Sequence, residues 1–462
     1  MMKKIILICL ANVLLHSVNG QTFVNNGAVV AVTPGGVMSI KSDNITTGSG
    51  SLENLASTTG ILRNAGLIQI EGSFVNTSGV ADGFGASTGV YRVQGDWEND
   101  ASFTADSSTV VFYGLSQSIK GMNNGTPNPT TFYNLIDTLP TLAASASSVK
   151  TQEVGTNVSN VLTLYSSEHA TANYYLNILN PEPTAIVENS YQDAFVSSTG
   201  NGRLSWTTNQ KAEYIFPTGI NENGPKIREV SITPPNTTTR TYSVRFADEV
   251  NSPNTTTAEG YDTAQKSGYI GEVNDIYYHL INTGGNTDPA DLAIFFDPTV
   301  DPHWQSIARW QQVPQWQDLQ NTVTIADARG APRYKIVKSA WIPTTDTAYA
   351  LVDTIAIKAD FAFPTAFIGD CQTCTGTTPS DGNNGVFGII NQADLVTLQD
   401  LSVFNRWGEM VFDSKRDGNP NWAGHFNGKL QPQGNYLYRA VVTNNTTGKQ
   451  YPLVTGNVAL LW

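Results

Sequence analysis

Charge is scarce in this 462-residue chain: charged residues make up 14% of it, with 26 Lys and Arg against 39 Asp and Glu, for a net charge of −13. There is no block of Lys or Arg, which argues against nucleic acid or an anionic bilayer surface as a partner. Histidine is equally sparse, at five residues. His169, His279, His303 and His425 lie outside the expected leader, none has a metal-ligand spacing such as H-x-x-x-H, and no G-x-S-x-G elbow is present. No metal site and no catalytic residue is therefore expected. Long apolar runs are also missing. The best, Ile5–Leu15, follows Lys3 and Lys4 and precedes the small, polar exit Ser17-Val18-Asn19-Gly20. It is too short to span a bilayer, so residues 1–20 are expected to be a cleaved export leader, with no transmembrane helix elsewhere. Cys9 falls inside that leader, leaving Cys371 and Cys374 as the mature cysteines.

What is plentiful points to strands. The chain has 18 Phe, 18 Tyr and 9 Trp, enough for a core, and 40 Gly, with Thr, Ser and Asn in visible excess over Lys and Glu. An all-β fold is expected. The segment Gly66-Leu67-Ile68-Gln69-Ile70-Glu71-Gly72-Ser73-Phe74-Val75-Asn76 recurs 23 residues later as Gly89-Val90-Tyr91-Arg92-Val93-Gln94-Gly95-Asp96-Trp97-Glu98-Asn99. Weaker copies begin at Asn25 and Gly36. A period in the twenties with apolar alternation and Gly/Asn corners predicts stacked β coils, a β-solenoid-like region over 21–190. Unrelated Gly/Asn-rich hairpins are the alternative. Over 191–362 the repeat stops and longer strands separated by Pro, Asn and Gly clusters predict a β-sandwich. Residues 363–462 read as a small β-sandwich of their own.

Four elements near the end occur in a fixed order. They are Val403-Phe404-Asn405-Arg406-Trp407-Gly408-Glu409-Met410-Val411-Phe412, Trp422-Ala423-Gly424, Pro432-Gln433-Gly434-Asn435-Tyr436-Leu437-Tyr438 and Gly456-Asn457-Val458-Ala459-Leu460-Leu461. This arrangement resembles the gliding-motility-associated C-terminal domain of Bacteroidetes proteins, a type B sorting signal of the type IX secretion system. The resemblance implies export across both membranes to the cell surface or the medium, with the translocon and a type B outer-membrane partner protein as recognisers. It carries Asn405, Arg406, Trp407, Gly408, Trp422, Gly424, Gly434, Tyr436 and Gly456 as motif residues. Upstream, Thr378–Phe387 is similar to the family's start, with Gly385 where the pattern has its second Asp. The repeat segment, through Gly95-Asp96-Trp97-Glu98-Asn99 and Val110-Val111-Phe112-Tyr113-Gly114, also resembles surface proteins of that phylum. On physical grounds Trp407 and Trp422 are expected to be buried anchors, each contributing about 1.5–3 kcal/mol. Arg406 is expected to pair with an acid such as Asp413, for about 1 kcal/mol at most.

The remaining candidates have competing readings. Trp304, Trp310 and Trp316 are spaced by six, which on one strand face would present three rings for a surface glycan; core packing is the other reading. Cys371 and Cys374 form either a local disulfide or a free thiol pair. Asp381-Gly382-Asn383 offers oxygen ligands suited to Ca²⁺, although no cofactor is otherwise expected. Asp297 and Asp301 could do acid–base work on glycosides or serve as plain loop acids. The whole reads as an exported, non-enzymatic, adhesin-like or structural protein. A secreted polysaccharide-binding or polysaccharide-degrading protein is the alternative.

Overall fold

A computed structural model describes residues 22–42, 50–55, 60–77, 79–83, 88–140, 148–188, 193–221, 225–248, 261–267, 270–302, 304–311, 315–330, 333–343, 346–354, 361–370, 384–391, 396–445, 450–451 and 453–462. These residues form strands, turns and loops, with no helix among them. The chain divides into two compact units, Met1–Thr354 and Ile355–Trp462. The expected leader lies outside the described residues.

In the first unit, short strands bury alternate side chains. Leu52–Asn54, Phe74–Asn76 and Trp97–Asn99 each bury their first and third residues and leave the middle one half-buried. A strand of three residues cannot hold itself, so each lies parallel against the next pass of the chain. Leu52 pairs with Phe74 and Phe74 with Trp97, while Asn54, Asn76 and Asn99 follow in the same register. A second parallel ladder pairs Leu67 with Val90 and Ile70 with Val93, and a third runs through Val29–Val32, Ile61–Asn64, Val80–Gly83 and Ser102–Thr104. The 23-residue offset seen in the sequence is thus the length of one pass. Pass-to-pass parallel pairing, not separate hairpins, is what these ladders show.

Two buried columns set that register. The Phe74 and Trp97 rings stack at 4.0 Å and 11°, and Tyr91 meets both edge-on. At the corner, the Asn25 amide donates to Asn54 Oδ1 at 2.9 Å, Asn54 donates to Asn76 at 3.0 Å, and Asn76 donates to Asn99 at 2.8 Å. All four asparagines are buried, so each amide depends on its neighbours to replace water. Further along, a polar column continues inside: Gln117 faces Lys150 and Lys150 faces His169. The Lys150 ammonium is held by the carbonyls of Gly114 and Thr138 and by Ser148 Oγ. Burial pushes its pKa down to about 8. His169 sits 2.7 Å from Asp137 Oδ2 and 3.0 Å from Gln152 Oε1.

The second ladder then changes character. Tyr175–Ile178 pairs parallel with Arg203–Thr208, which pairs antiparallel with Arg240–Asp248. From there the sheet runs antiparallel through Tyr277–Asn282, Thr347–Thr354, Ser306–Gln311 and Gln315–Asp318. An antiparallel sheet of Tyr214–Phe216, Val230–Thr233, Ala290–Phe296, Tyr334–Trp341 and Thr322–Ala326 supplies the other layer. One apolar core runs from Val30 to Leu351, so neither the long sheet nor the core breaks near residue 190.

Buried charges tie the passes to the sandwich. Glu229, fully buried, is bound by both Arg329 and Arg333. Arg329 also reaches Glu188 at 2.6 Å and Asp327 at 3.1 Å, and the Phe295 ring lies under Arg329, Arg333 and Lys335 at 5.0, 5.5 and 5.4 Å. Burial and the neighbouring Glu229 push Glu188 up to about 8. Arg228 pairs with Asp301 through contacts of 2.8 and 2.7 Å, and its carbonyl accepts a 2.8 Å hydrogen bond from His279 Nε2.

This packing makes stability sensitive to single buried groups. Asn76→Ala removes the middle of the amide column and leaves partners on both sides unpaired, so the first unit is expected to lose about 3 kcal/mol. Denaturant titration checks this, with the transition of the second unit unmoved. Burial pushes the His279 pKa down to about 4 from 6.5, so the unfolded chain takes up its proton before the folded one does. Stability from this group is intact above pH 6.5 and falls as pH drops from there toward 4, by roughly 3 kcal/mol in all. Comparing unfolding midpoints of wild type and His279→Gln across that range is expected to show the decline reduced in the variant.

Candidate functional site

The second unit has its own core and a five-stranded sheet ordered Ala366–Ile368, Val454–Leu461, Gly434–Asn444, Val396–Phe404 and Met410–Asp413. The two strands Gly434–Asn444 and Val454–Leu461 alternate between core and surface. Tyr436, Ala440 and Val442 point inward from one strand, and Val458 and Leu460 from its neighbour. Trp422 closes this core at 1% exposure. Its backbone exchanges two 2.7 Å hydrogen bonds with Phe387, its indole N–H donates to the His425 carbonyl at 3.0 Å, and the Tyr436 ring lies 4.9 Å away. The Tyr436 hydroxyl donates to the Pro432 carbonyl at 2.8 Å. Gly424 is buried beside Leu430 and Leu460, and Gly434 opens the longest strand. Gly456 lies opposite Tyr438, whose ring atoms come within 2.8 Å of where a Cβ would be. The aromatic ring fills the place a side chain would take.

Trp407 corrects an expectation. It is 80% exposed, because it sits at the tip of a tight reversal between Phe404 and Met410, which are themselves a register pair. Asn405 builds that reversal. Its Oδ1 accepts the N–H groups of Trp407 and Glu409, both at 3.0 Å, and its amide donates to the Glu409 carboxylate at 2.9 Å. Gly408 takes a φ of +82° there, a conformation a side chain disfavours. Arg406 does not reach Asp413 either; its guanidinium lies over the Trp407 ring at 5.0 Å. Asp413 instead accepts the N–H groups of Lys415 and Arg416.

The remaining candidates fall elsewhere. The three-ring platform of Trp304, Trp310 and Trp316 does not form. Trp304 is 4% exposed and packs in the main core, while Trp316 is 1% exposed and packs in a separate cluster with Tyr278 and Ala308. The chain reverses between them, so Trp310 and Trp316 are cross-strand partners. Only Trp310 is even half-exposed, and Tyr261 leans on it at 5.6 Å. Asp301 is committed to Arg228, and Asp297 Oδ1 accepts the Thr299 N–H and hydroxyl. Cys371, Cys374, His303 and the Asp381-Gly382-Asn383 segment lie outside the described residues. Among the described residues, no group of three or more His, Cys, Asp or Glu is placed to hold a metal, and no helix is long and apolar enough to cross a membrane. A cleft of about 220 Å³ between Arg416, Trp422, His425 and Phe426 is smaller than the usual pocket for an organic ligand.

Residues 372–455 match the family model of the CHU_C Type IX secretion signal domain. The second unit carries a type IX secretion signal. No curated protein and no solved structure matches the chain. Within the signal domain the motif residues divide into three groups. Trp422, Gly424, Gly434, Tyr436 and Gly456 build the sheet and core, Asn405 and Gly408 shape a turn, and Arg406 and Trp407 are displayed by it. Sequence reasoning did not single out Leu437, Leu461 and Trp462, exposed by 53%, 47% and 62%. The signal was present for Leu437, an apolar residue in the outward phase between Tyr436 and Tyr438. Buried and displayed rings differ in what their loss does to stability. Trp422→Ala is expected to lower signal-domain stability by about 3–5 kcal/mol, and Trp407→Ala to change it by no more than about 0.5 kcal/mol, as read from thermal unfolding of the two variants.

Proposed function

We propose that this protein is cargo of the type IX secretion system: it crosses both membranes, addressed by its signal domain, and acts outside the cell as an adhesin-like or structural body without a reaction of its own. The match at residues 372–455 carries the export part of this reading, and its position supports it, since it falls within a compact unit with a separate core. An address that folds independently can be read whatever the cargo is. The recognisers are the translocon and an outer-membrane partner of the type B class.

The non-enzymatic part draws support from how the ionisable groups inside the first unit are used. Asp301 with Arg228, Glu229 with Arg329 and Arg333, and Lys150 with its backbone carbonyls each join separate segments of the chain. These groups act as fasteners. The parallel ladders and the sandwich share one core, a construction suited to holding a surface in place.

Deleting residues 355–462 tests the export reading. Fractionation of the producing cells is expected to find the truncated chain in the periplasm, with little outside. Undiminished extracellular protein would overturn it.

A further inference from the structure

The signal domain's sheet has one face committed to its core, but the other is not uniformly polar. By register, Phe404 lies opposite Leu437 on one side and Met410 on the other. The Trp407 turn projects just beyond that row, and its end of the sheet is also where Gly434 pairs with Leu460, next to Leu461 and Trp462. Trp407, Leu437, Leu461 and Trp462, at 80, 53, 47 and 62% exposure, therefore share one end of a domain of little more than 100 residues. Scattered exposed apolar residues need no explanation, but a cluster at one end of a small domain does.

The turn itself is the second, independent observation. Three hydrogen bonds made by the Asn405 side chain and a left-handed glycine shape the turn that carries Trp407 into the open, so its place on the domain is set before anything binds. Presenting an aromatic side chain on a preformed turn reduces the ordering cost of association. Two of the aromatic rings here also carry a cation. Arg406 covers the Trp407 ring at 5.0 Å and Arg439 covers Phe404 at 6.0 Å, and among the described residues neither pairs with a carboxylate. In a chain of net charge −13, this end displays arginine on aromatic rings, a surface complementary to carboxylates set beside aliphatic side chains.

We infer that the Arg406–Trp407 turn, with Phe404, Leu437, Leu461 and Trp462 around it, is the face by which the secretion machinery grips the signal domain, and that the gripping protein offers an acidic, apolar surface. This rests on the export reading above and specifies where on the domain recognition falls. The aromatic and its cation act together: the ring fills an apolar recess, and the guanidinium answers a carboxylate at its rim.

The test is export of the full chain from the producing cells, with the 355–462 deletion alongside. Trp407→Ala and Arg406→Glu are each expected to lower the extracellular fraction by about ten-fold, with the folded protein retained in the periplasm. Arg406→Lys is expected to keep more export than Arg406→Glu. Unchanged thermal unfolding of the retained Trp407→Ala protein excludes misfolding as the cause. If the deletion blocks export while both point variants leave undiminished, the face is wrong and the export reading stands. If the deletion itself leaves normally, both fall. Sedimentation of the exported wild type covers another occupant: a dimer that Trp407→Ala dissociates without affecting export would assign the face to a second copy of this chain and overturn the inference.

Discussion

A side-chain amide taken out of water inside a β coil must find its partners there, and the column of Asn25, Asn54, Asn76 and Asn99 meets that requirement by passing one hydrogen bond from each coil to the next. Slipping one strand by a single residue would leave several buried amides unpaired and turn Phe74 or Trp97 outward at the same time. The amide column and the Phe74–Trp97 stack thus enforce one register from two sides. Asn54 and Asn76 are 22 residues apart and Asn76 and Asn99 are 23 apart, and that near-equality makes the repeat visible there; Asn25 lies 29 residues before Asn54, and its copy is weaker.

Where the passes end, charge takes over from repetition. The strand Ile186–Glu188 still pairs parallel with its predecessor, yet its last residue is held by Arg329 from a hairpin of the sandwich. Glu229, Asp327 and Arg333 complete this knot around Phe295. Buried ion pairs add little net stability compared with apolar packing, but an unpartnered member is costly. Such a knot therefore chooses one arrangement of coil and sandwich over others. The signal domain uses neither device. Its sheet is antiparallel apart from the short strand Ala366–Ile368 and has register shifts along Val396–Phe404, and its core is built on Trp422, Tyr436 and Phe387.

Legibility from the sequence followed these physical differences. The 23-residue offset was readable because each residue in a column must suit the ones above and below it, so Phe74 and Trp97 recur with Asn76 and Asn99. The four C-terminal elements were readable because they occur together and in order. Residues near 190 looked like an edge because periodicity stops there, although hydrogen bonding between Tyr175–Ile178 and Arg203–Thr208 carries the sheet onward. Spacing misled at Trp304, Trp310 and Trp316, since an even interval implies a shared face only while the strand continues. Residue type misled at Trp407: a large ring suggests burial, but Asn405 and Gly408, both visible beside it, make a turn that keeps it out. The fasteners Glu188, Glu229 and Arg329 join positions far apart in the chain, and nothing local announces them.

If the last unit is an address, it is separable from what it delivers. Fusing residues 355–462 to an unrelated folded reporter that carries an export leader, and expressing it in the producing bacterium, tests this most directly. Reporter is expected outside the cell, and none there when the fused segment is omitted. A fusion that stays folded, intact and periplasmic would contradict it.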